Sequence, residues 1–178
     1  NYDELCPDLN IKADNSAIVN NDILFSLDNE NQKKIEQYSN LALLKKKKIG
    51  GLKRSRFDIN LSVNGIFIHQ DVVYFRLILG NTSKINYDID QLRFFIRDQR
   101  KSKRTASQEI EILPLFSTSN SMLIPDKSEV NLVCALSKFT IPEKKYLTIQ
   151  LIEKNGGRQL EIDIKNNDLI DLDVLNSF

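Results

Sequence analysis

Histidine occurs once in these 178 residues, methionine once, cysteine twice, glycine six times and tryptophan not at all. A Ser-His-Asp or Cys-His catalytic unit would have to use His69, and a histidine-rich zinc site cannot be built. His69 stands in IFIHQD, at the end of an alternating apolar run, which reads as a strand end beside a turn. The glycines fall in neither dinucleotide-binding nor P-loop spacing, so no phosphate-cradling loop is encoded. Cys6 and Cys134 lack metal-ligand spacing. Cys134, inside VNLVCALSKF, reads as a small buried core residue, and a bridge to Cys6 would need an oxidising compartment. No apolar run approaches the roughly 20 residues of a membrane span. The opening NYDELCPDL has neither the basic nor the apolar region of a signal peptide. Lys and Arg number 25 against 24 Asp and Glu. That balance supplies no global field toward DNA or an anionic membrane, so a nucleic-acid reading rests on local patches.

What is present points to a folded chain: 41% of residues are hydrophobic and 28% charged. Residues 1–27 are Asn/Asp-rich with short apolar patches and are expected to form a linker or docking arm. A helix is expected over 28–50, capped by Asp28 or Asn29 with Gln32 as reciprocal partner. Ile35, Tyr38, Leu41 or Ala42, and Leu44 or Lys45 give it an amphipathic stripe. Lys45 to Lys48 complement its C-terminal carbonyls, and Gly50-Gly51 stops it.

From residue 51 to 178 the pattern is that of a β-domain. Phe57, Ile59, Leu61 and Val63 alternate with polar residues, and Asn64-Gly65 bends or bulges the strand before Ile66 and Ile68. Val72 to Leu79 can be buried on both faces, and GNTSKINYD supplies a turn. Further strands are expected at Leu92 to Arg97, Glu109 to Phe116 and Val130 to Leu136. The strongest hairpin signal opposes Leu147, Ile149, Leu151 and Glu153 to Leu160, Ile162 and Ile164 across Asn155-Gly156-Gly157. The expected fold is all-β: an immunoglobulin-like antiparallel β-sandwich of about seven strands, after one α-helix and an irregular N-terminal segment. The Cys–Trp–Cys framework of antibody domains is absent.

Two basic clusters stand out: Lys45 to Lys48 with Lys53, Arg54 and Arg56, and the run RDQRKSKR from Arg97 to Arg104. Phosphate binding by such a run would be salt-dependent, and single-strand binding would also want aromatic platforms among the charges. Phe94 and Phe95 are near, but LRFFIRD makes at least one a core position. The competing reading is a solvated loop that protects a sheet edge. The acidic groupings Asp88 and Asp90, and Asp168, Asp171 and Asp173, lack the glycine and ligand count of a calcium loop. Asp168 is read as starting a short terminal turn capped by Asn166 or Asn167. Arg158 reads as an exposed hairpin charge, with pairing to a neighbouring carboxylate as the alternative. No residue set supports catalysis, and no cofactor or metal site is expected.

The wording of the chain is more specific than its periodicity. NTS at Asn81, YDID at Tyr87, RFFIRD at Arg93, KRTASQE at Lys103 and EKNGGR at Glu153 resemble the TraN family of Bacteroides conjugative transposons. The resemblance covers the chain from Phe57 to Asp173, and NYDELCPDLNI resembles the segment that joins the two halves of such proteins. It implies a non-enzymatic component of a type IV secretion-like mating apparatus, periplasmic and associated with the outer membrane. The chain would then be a C-terminal domain that follows a signal peptide and an N-terminal β-domain. Implied partners are other envelope proteins of the apparatus, with further copies of the chain in an assembled ring. The resemblance carries over no site residue.

Candidate contacts are the KRTA loop with its approach (Lys101, Lys103, Arg104, Thr105), the YDID turn (Tyr87, Asp88) and the GGR hairpin (Gly156, Gly157, Arg158). Arg holds carboxylates bidentately and Tyr anchors interfaces. Each has a structural alternative: turn hydrogen bonds from Asn81 and Asp88, Tyr87 packed in a sandwich corner, Arg104 paired within the domain. An edge strand offered to a neighbour is a further docking mode. The alternative function is DNA contact in the transfer channel through Lys101, Lys103 and Arg104. An enzyme reading comes last.

Overall fold

The computed structural model describes residues 31–99, 108–170 and 172–176. The chain divides into two compact units, Asn1–Lys33 and Lys34–Phe178, and the second holds every strand found among the described residues. The expected arm over 1–27 and the expected caps Asp28 and Asn29 lie outside the described residues. A helix, α1, covers 31–44. The strands are β1 Lys53–Arg56, β2 Ile59–His69, β3 Val72–Asn81, β4 Tyr87–Asp98, β5 Ile110–Glu111, β6 Phe116–Ser117, β7 Leu123–Ile124, β8 Ser128–Ser137, β9 Lys145–Glu153, β10 Gln159–Ile164 and β11 Asp173–Val174. Among the described residues, no helix is long and apolar enough to cross a membrane.

The first sheet runs β1-β2-β3-β8-β6, with β11 added parallel to β2; the second runs β10-β9-β4-β5, with β7 also on β4. The orders β2-β3-β8-β6 and β10-β9-β4 reproduce the A-B-E-D and G-F-C sheets of an immunoglobulin-like sandwich. The expected sandwich is therefore the observed fold. Alternation explains the core between the sheets. Leu61, Val63, Phe75, Leu77, Leu132 and Cys134 meet Phe94, Ile96, Leu147, Ile149, Leu160 and Ile162. The other face of the first sheet is apolar too: Phe67, Tyr74, Val133 and Ala135 pack with Tyr38 and Ala42 of α1 and with Leu175. This second layer is why VVYFRLIL reads as buried on both faces.

The helix is shorter than its sequence suggests. Tyr38 and Ala42 are buried as the stripe requires, but Leu44 is exposed and helical geometry ends there, so Lys45 to Gly50 are not helical. Arg76 of β3 explains the exit. Its guanidinium donates to the carbonyls of Ala42 (3.0 Å), Lys45 and Lys47, and to the side chain (2.7 Å) and carbonyl (3.1 Å) of Asn64. A cation at a helix C-terminus satisfies its last carbonyls and the negative end of its dipole. Here a buried strand arginine does so in place of the lysines. The bulge expected at Asn64-Gly65 is present, with the register shifting between Val63 and Gly65. Glycine is required there, because a Cβ would come within 2.7 Å of the Phe67 ring and 3.0 Å of Arg76 Nη2.

Several local expectations need correction. Phe57 and Asp58 have φ of 56° and 60° and form the turn between β1 and β2. Phe57 is thus a half-exposed turn residue, not the first strand position. The stretch Glu109 to Phe116 is not one strand: β5 joins the second sheet and β6 the first. YDID is not a turn but the start of β4. The turn lies before it, held by Asn81, which donates to Ile85 O (2.8 Å) and Ile124 O (3.2 Å) and accepts from Ser83. The terminal 3-10 helix, Asn166–Leu169, is capped by Lys165, whose N–H donates to Asp168; neither asparagine is its cap. The β9–β10 hairpin has the expected register, Leu151 opposite Leu160 and Ile149 opposite Ile162, and Asn155 takes the positive φ of 53°.

Candidate functional site

Two of the sequence-selected groups meet. Tyr87 points inward at the start of β4 and is fully buried, and its hydroxyl donates to the Arg158 carbonyl at 2.7 Å. The Arg158 guanidinium lies 5.0 Å from the centroid of the Tyr87 ring. It also donates to both carboxylate oxygens of Glu153, one at 2.9 Å, and to Asn86 O at 2.9 Å. Burial, with Glu153 nearby, pushes the Tyr87 phenol far above its usual value. The hydrogen bonds from Arg158 hold the Glu153 carboxyl below the carboxylate range. Arg158 is therefore not an exposed hairpin charge, and Tyr87 belongs to the core instead of a contact surface. Together they clasp the β9–β10 hairpin to β4. A Cβ at Gly156 would displace the Glu153 carboxylate from its place in the clasp, whereas Gly157 faces open space. Of this group Asp88 is the exposed side chain with a charge to offer. Lys101, Lys103, Arg104 and Thr105 lie outside the described residues.

The outer face of the second sheet neutralises the first residue of the basic run. Arg97 donates to Glu161 (2.8 Å) and Asp163 (3.2 Å), and its guanidinium lies 5.5 Å from the ring centroids of both Phe95 and Tyr146. Arg93 is paired with Glu111 at 3.0 Å. Thr148 and Gln150, both buried, donate to Asp163 and Glu161 and complete the network. Phe94 and Phe95 are both buried, so neither forms a platform for stacked bases. His69 is likewise structural. It stacks on Tyr38 with centroids 3.7 Å apart, and its Nδ1 lies 2.8 Å from Leu175 O.

The other edge of β4 is only partly paired. β7 pairs there with Tyr87 and Asp88, and β5 with Phe95 and Ile96. Two single bonds extend these ladders: Ile89 N–H to Met122 O and Ile112 N–H to Phe94 O, both 2.8 Å. Between them, among the described residues, no strand pairs with this side of Asp90 to Arg93. Behind the gap a cavity of about 640 Å³ opens between the sheets, walled by Leu79, Ile89, Leu92, Leu132 and Cys134. Burial pushes the Cys134 thiol up to about 12, so it stays protonated and presents a small apolar surface. Ile110, Leu113, Leu115 and Met122 are exposed on the segment that crosses between the sheets beside the gap. Four of the nine large apolar side chains exposed among the described residues thus fall within 110–122. Asp90 and Gln91 line the mouth with Ser119 and Ser121. Apolar walls, a polar rim and main-chain groups that no described strand pairs suit an extended peptide.

Fold and edge together define an immunoglobulin-like β-sandwich module with one face covered by a helix and, among the described residues, a β4 edge that β5 and β7 pair only in part. Residues 32–174 match the family described as Domain of unknown function (DUF4138), and the chain belongs to that family. No curated protein and no solved structure matches it.

Proposed function

We propose that this chain is a non-enzymatic protein–protein assembly module of a conjugative, type IV secretion-like DNA-transfer apparatus. It works in the periplasm at the outer membrane, with other envelope components and with further copies of itself. The setting rests on the resemblance of the NTS, YDID, RFFIRD, KRTASQE and EKNGGR segments to the TraN family. The assembly role is carried by one observation, the unpaired stretch of β4 beside exposed Ile110, Leu113, Leu115 and Met122. Exposed apolar patches next to free strand edges mark sites where proteins dock. The DNA-contact alternative draws no support from Arg97, whose guanidinium is held by Glu161 and Asp163.

A photo-crosslinking residue at Gln91, in cells carrying out transfer, tests the proposal. Adducts with envelope proteins are expected. Adducts with DNA alone, or none above a control at exposed Lys84, would refute it.

A further inference from the structure

Resting on the assembly reading, we infer that the β4 gap receives a short extended segment of a partner protein. It lies antiparallel to β4, places an apolar side chain opposite Leu92, and carries Lys or Arg at its C-terminal end. The direction follows from the ladders on either side. β5 and β7 are both antiparallel to β4, so a segment lying in line with them takes the same direction and, beyond the slip between Ile89 and Gln91, the bonding frame of β5. Asp90 to Arg93 spans roughly 10 Å at strand rise, room for three or four residues. The Phe94 carbonyl faces this edge because it accepts from Ile112. Strand alternation makes Leu92, two residues earlier, face the same way with its N–H and C=O.

Residues directly opposite one another on paired strands share a face. Leu92 packs on the inter-sheet core, so a residue opposite it points into the cavity walled by Leu79, Leu132 and Cys134. An apolar side chain fits those walls and would fill space that the fold leaves open.

Charge sets the end. Asp88 and Asp90 lie at the Tyr87 end of the gap and make no ion pair among the described residues, while Lys154 lines the same hollow. At the far end Glu109 and Glu111 face Arg93, which Glu111 already holds. Among the described residues four carboxylates thus stand against two cations at this edge, although the chain as a whole carries a net charge of +1. An antiparallel segment ends beside Asp88 and Asp90, where a basic residue is favoured. The exposed edge strand β1, Lys53–Arg56, has the basic charge but no apolar side chain for the cavity, which argues against a second copy as occupant.

The test uses the full chain and three synthetic peptides with blocked ends: Thr-Val-Thr-Ile-Lys-Lys, the same sequence ending in Glu-Glu, and Thr-Gly-Thr-Gly-Lys-Lys. Amide shifts and hydrogen exchange at Leu92 report on the edge itself. The first peptide is expected to slow exchange of the Leu92 amide. It is also expected to bind about fivefold more tightly than the Glu-ended peptide, the size of two exposed charge contacts. The double variant D88N/D90N, both positions exposed, should bring that ratio close to one, and the glycine peptide should fail to protect Leu92. Equal affinities for the two charged ends, or an unprotected Leu92 amide, would overturn the inference. So would self-association lost on reversing the charges of Lys53 and Arg54, because the occupant would then be a second copy. The two proposals fail separately. Crosslinks from Gln91 to envelope proteins, with no peptide preference, leave assembly standing and remove this occupant. Peptide binding without such crosslinks refutes the envelope-assembly proposal and leaves the preference of the edge standing.

Discussion

Arg76→Met tests whether a buried arginine holds the helix exit and the bulge together. The side chain is 4% exposed, donates five hydrogen bonds, and has no carboxylate partner among them. Methionine replaces the stem and removes every donor. The Lys45 and Lys47 carbonyls lie near the surface and can turn to water. The Ala42 carbonyl and Asn64 Oδ1 are left without a donor inside the packed layer, at about 1–3 kcal/mol each. The expected loss is therefore about 2–6 kcal/mol, a large share of the roughly 5–15 kcal/mol that holds a domain folded. With a urea slope of about 2 kcal/mol/M, the midpoint falls by about 1–3 M. Far-UV circular dichroism in urea measures it. Arg76→Lys keeps the charge but cannot reach as many acceptors, so it should lie between wild type and Arg76→Met. Hydrogen exchange of the Lys45–Gly50 amides should also accelerate more than exchange elsewhere. A loss below about 1 kcal/mol for Arg76→Met would refute the reasoning, because it would show that the five acceptors find other partners without strain.

Glu153→Gln is expected to cost about 2 kcal/mol at neutral pH by removing the charge-assisted bonds to Arg158. Because the folded Glu153 pKa is lowered, its stabilisation is present above the unfolded value of 4.5 and disappears as pH falls through the folded value. The urea midpoints of wild type and variant should accordingly converge from pH 7 to pH 3. At the alkaline end the sign reverses. Cys134 and Tyr74 are raised to about 12 from 9.0 and 10.0, so their contributions are intact below pH 9 and decline as pH climbs toward 12. Midpoints taken between pH 8 and 11 should fall, and Cys134→Ala should delay the onset of the fall by removing the group that titrates first in the unfolded chain.

The sandwich is readable because β2 up to Val63, β9 and β10 alternate apolar with polar residues, and the β9–β10 hairpin because Asn155 carries the positive φ its turn needs. β4 is only half legible, for a physical reason. Its register slips between Ile89 and Gln91, so Tyr87 and Ile89 face inward in one frame while Leu92, Phe94 and Ile96 do so in the next. A period-two pattern cannot cross such a slip, and YDID consequently reads as a turn. The Arg158–Glu153 pair does have a signal, since the two flank the Asn155-Gly156-Gly157 turn and an antiparallel ladder brings them together. Arg76 has none: its acceptors lie on a helix end and a bulge distant in sequence. The β4 gap cannot be read either, because it depends on where β5 and β7 stop, and those are strands of two residues each.

The treatment of the other edges is what gives that gap meaning. An unpaired strand edge is a template for unwanted pairing, and proteins blunt it with charge, bulges or coverage. β1 is an edge made wholly of exposed Lys53, Arg54, Ser55 and Arg56. β10 turns Gln159, Glu161 and Asp163 outward, and Glu161 and Asp163 are tied to Arg97. β11 covers the far end of β2, and α1 covers the outer face of the first sheet. At β4 the same chain leaves main-chain groups unpaired, sets apolar Met122 and Ile110 beside them and keeps a cavity behind them. Where β1 and β10 are guarded by charge, this edge sets exposed apolar side chains beside its carboxylates, which is the arrangement a docking edge needs.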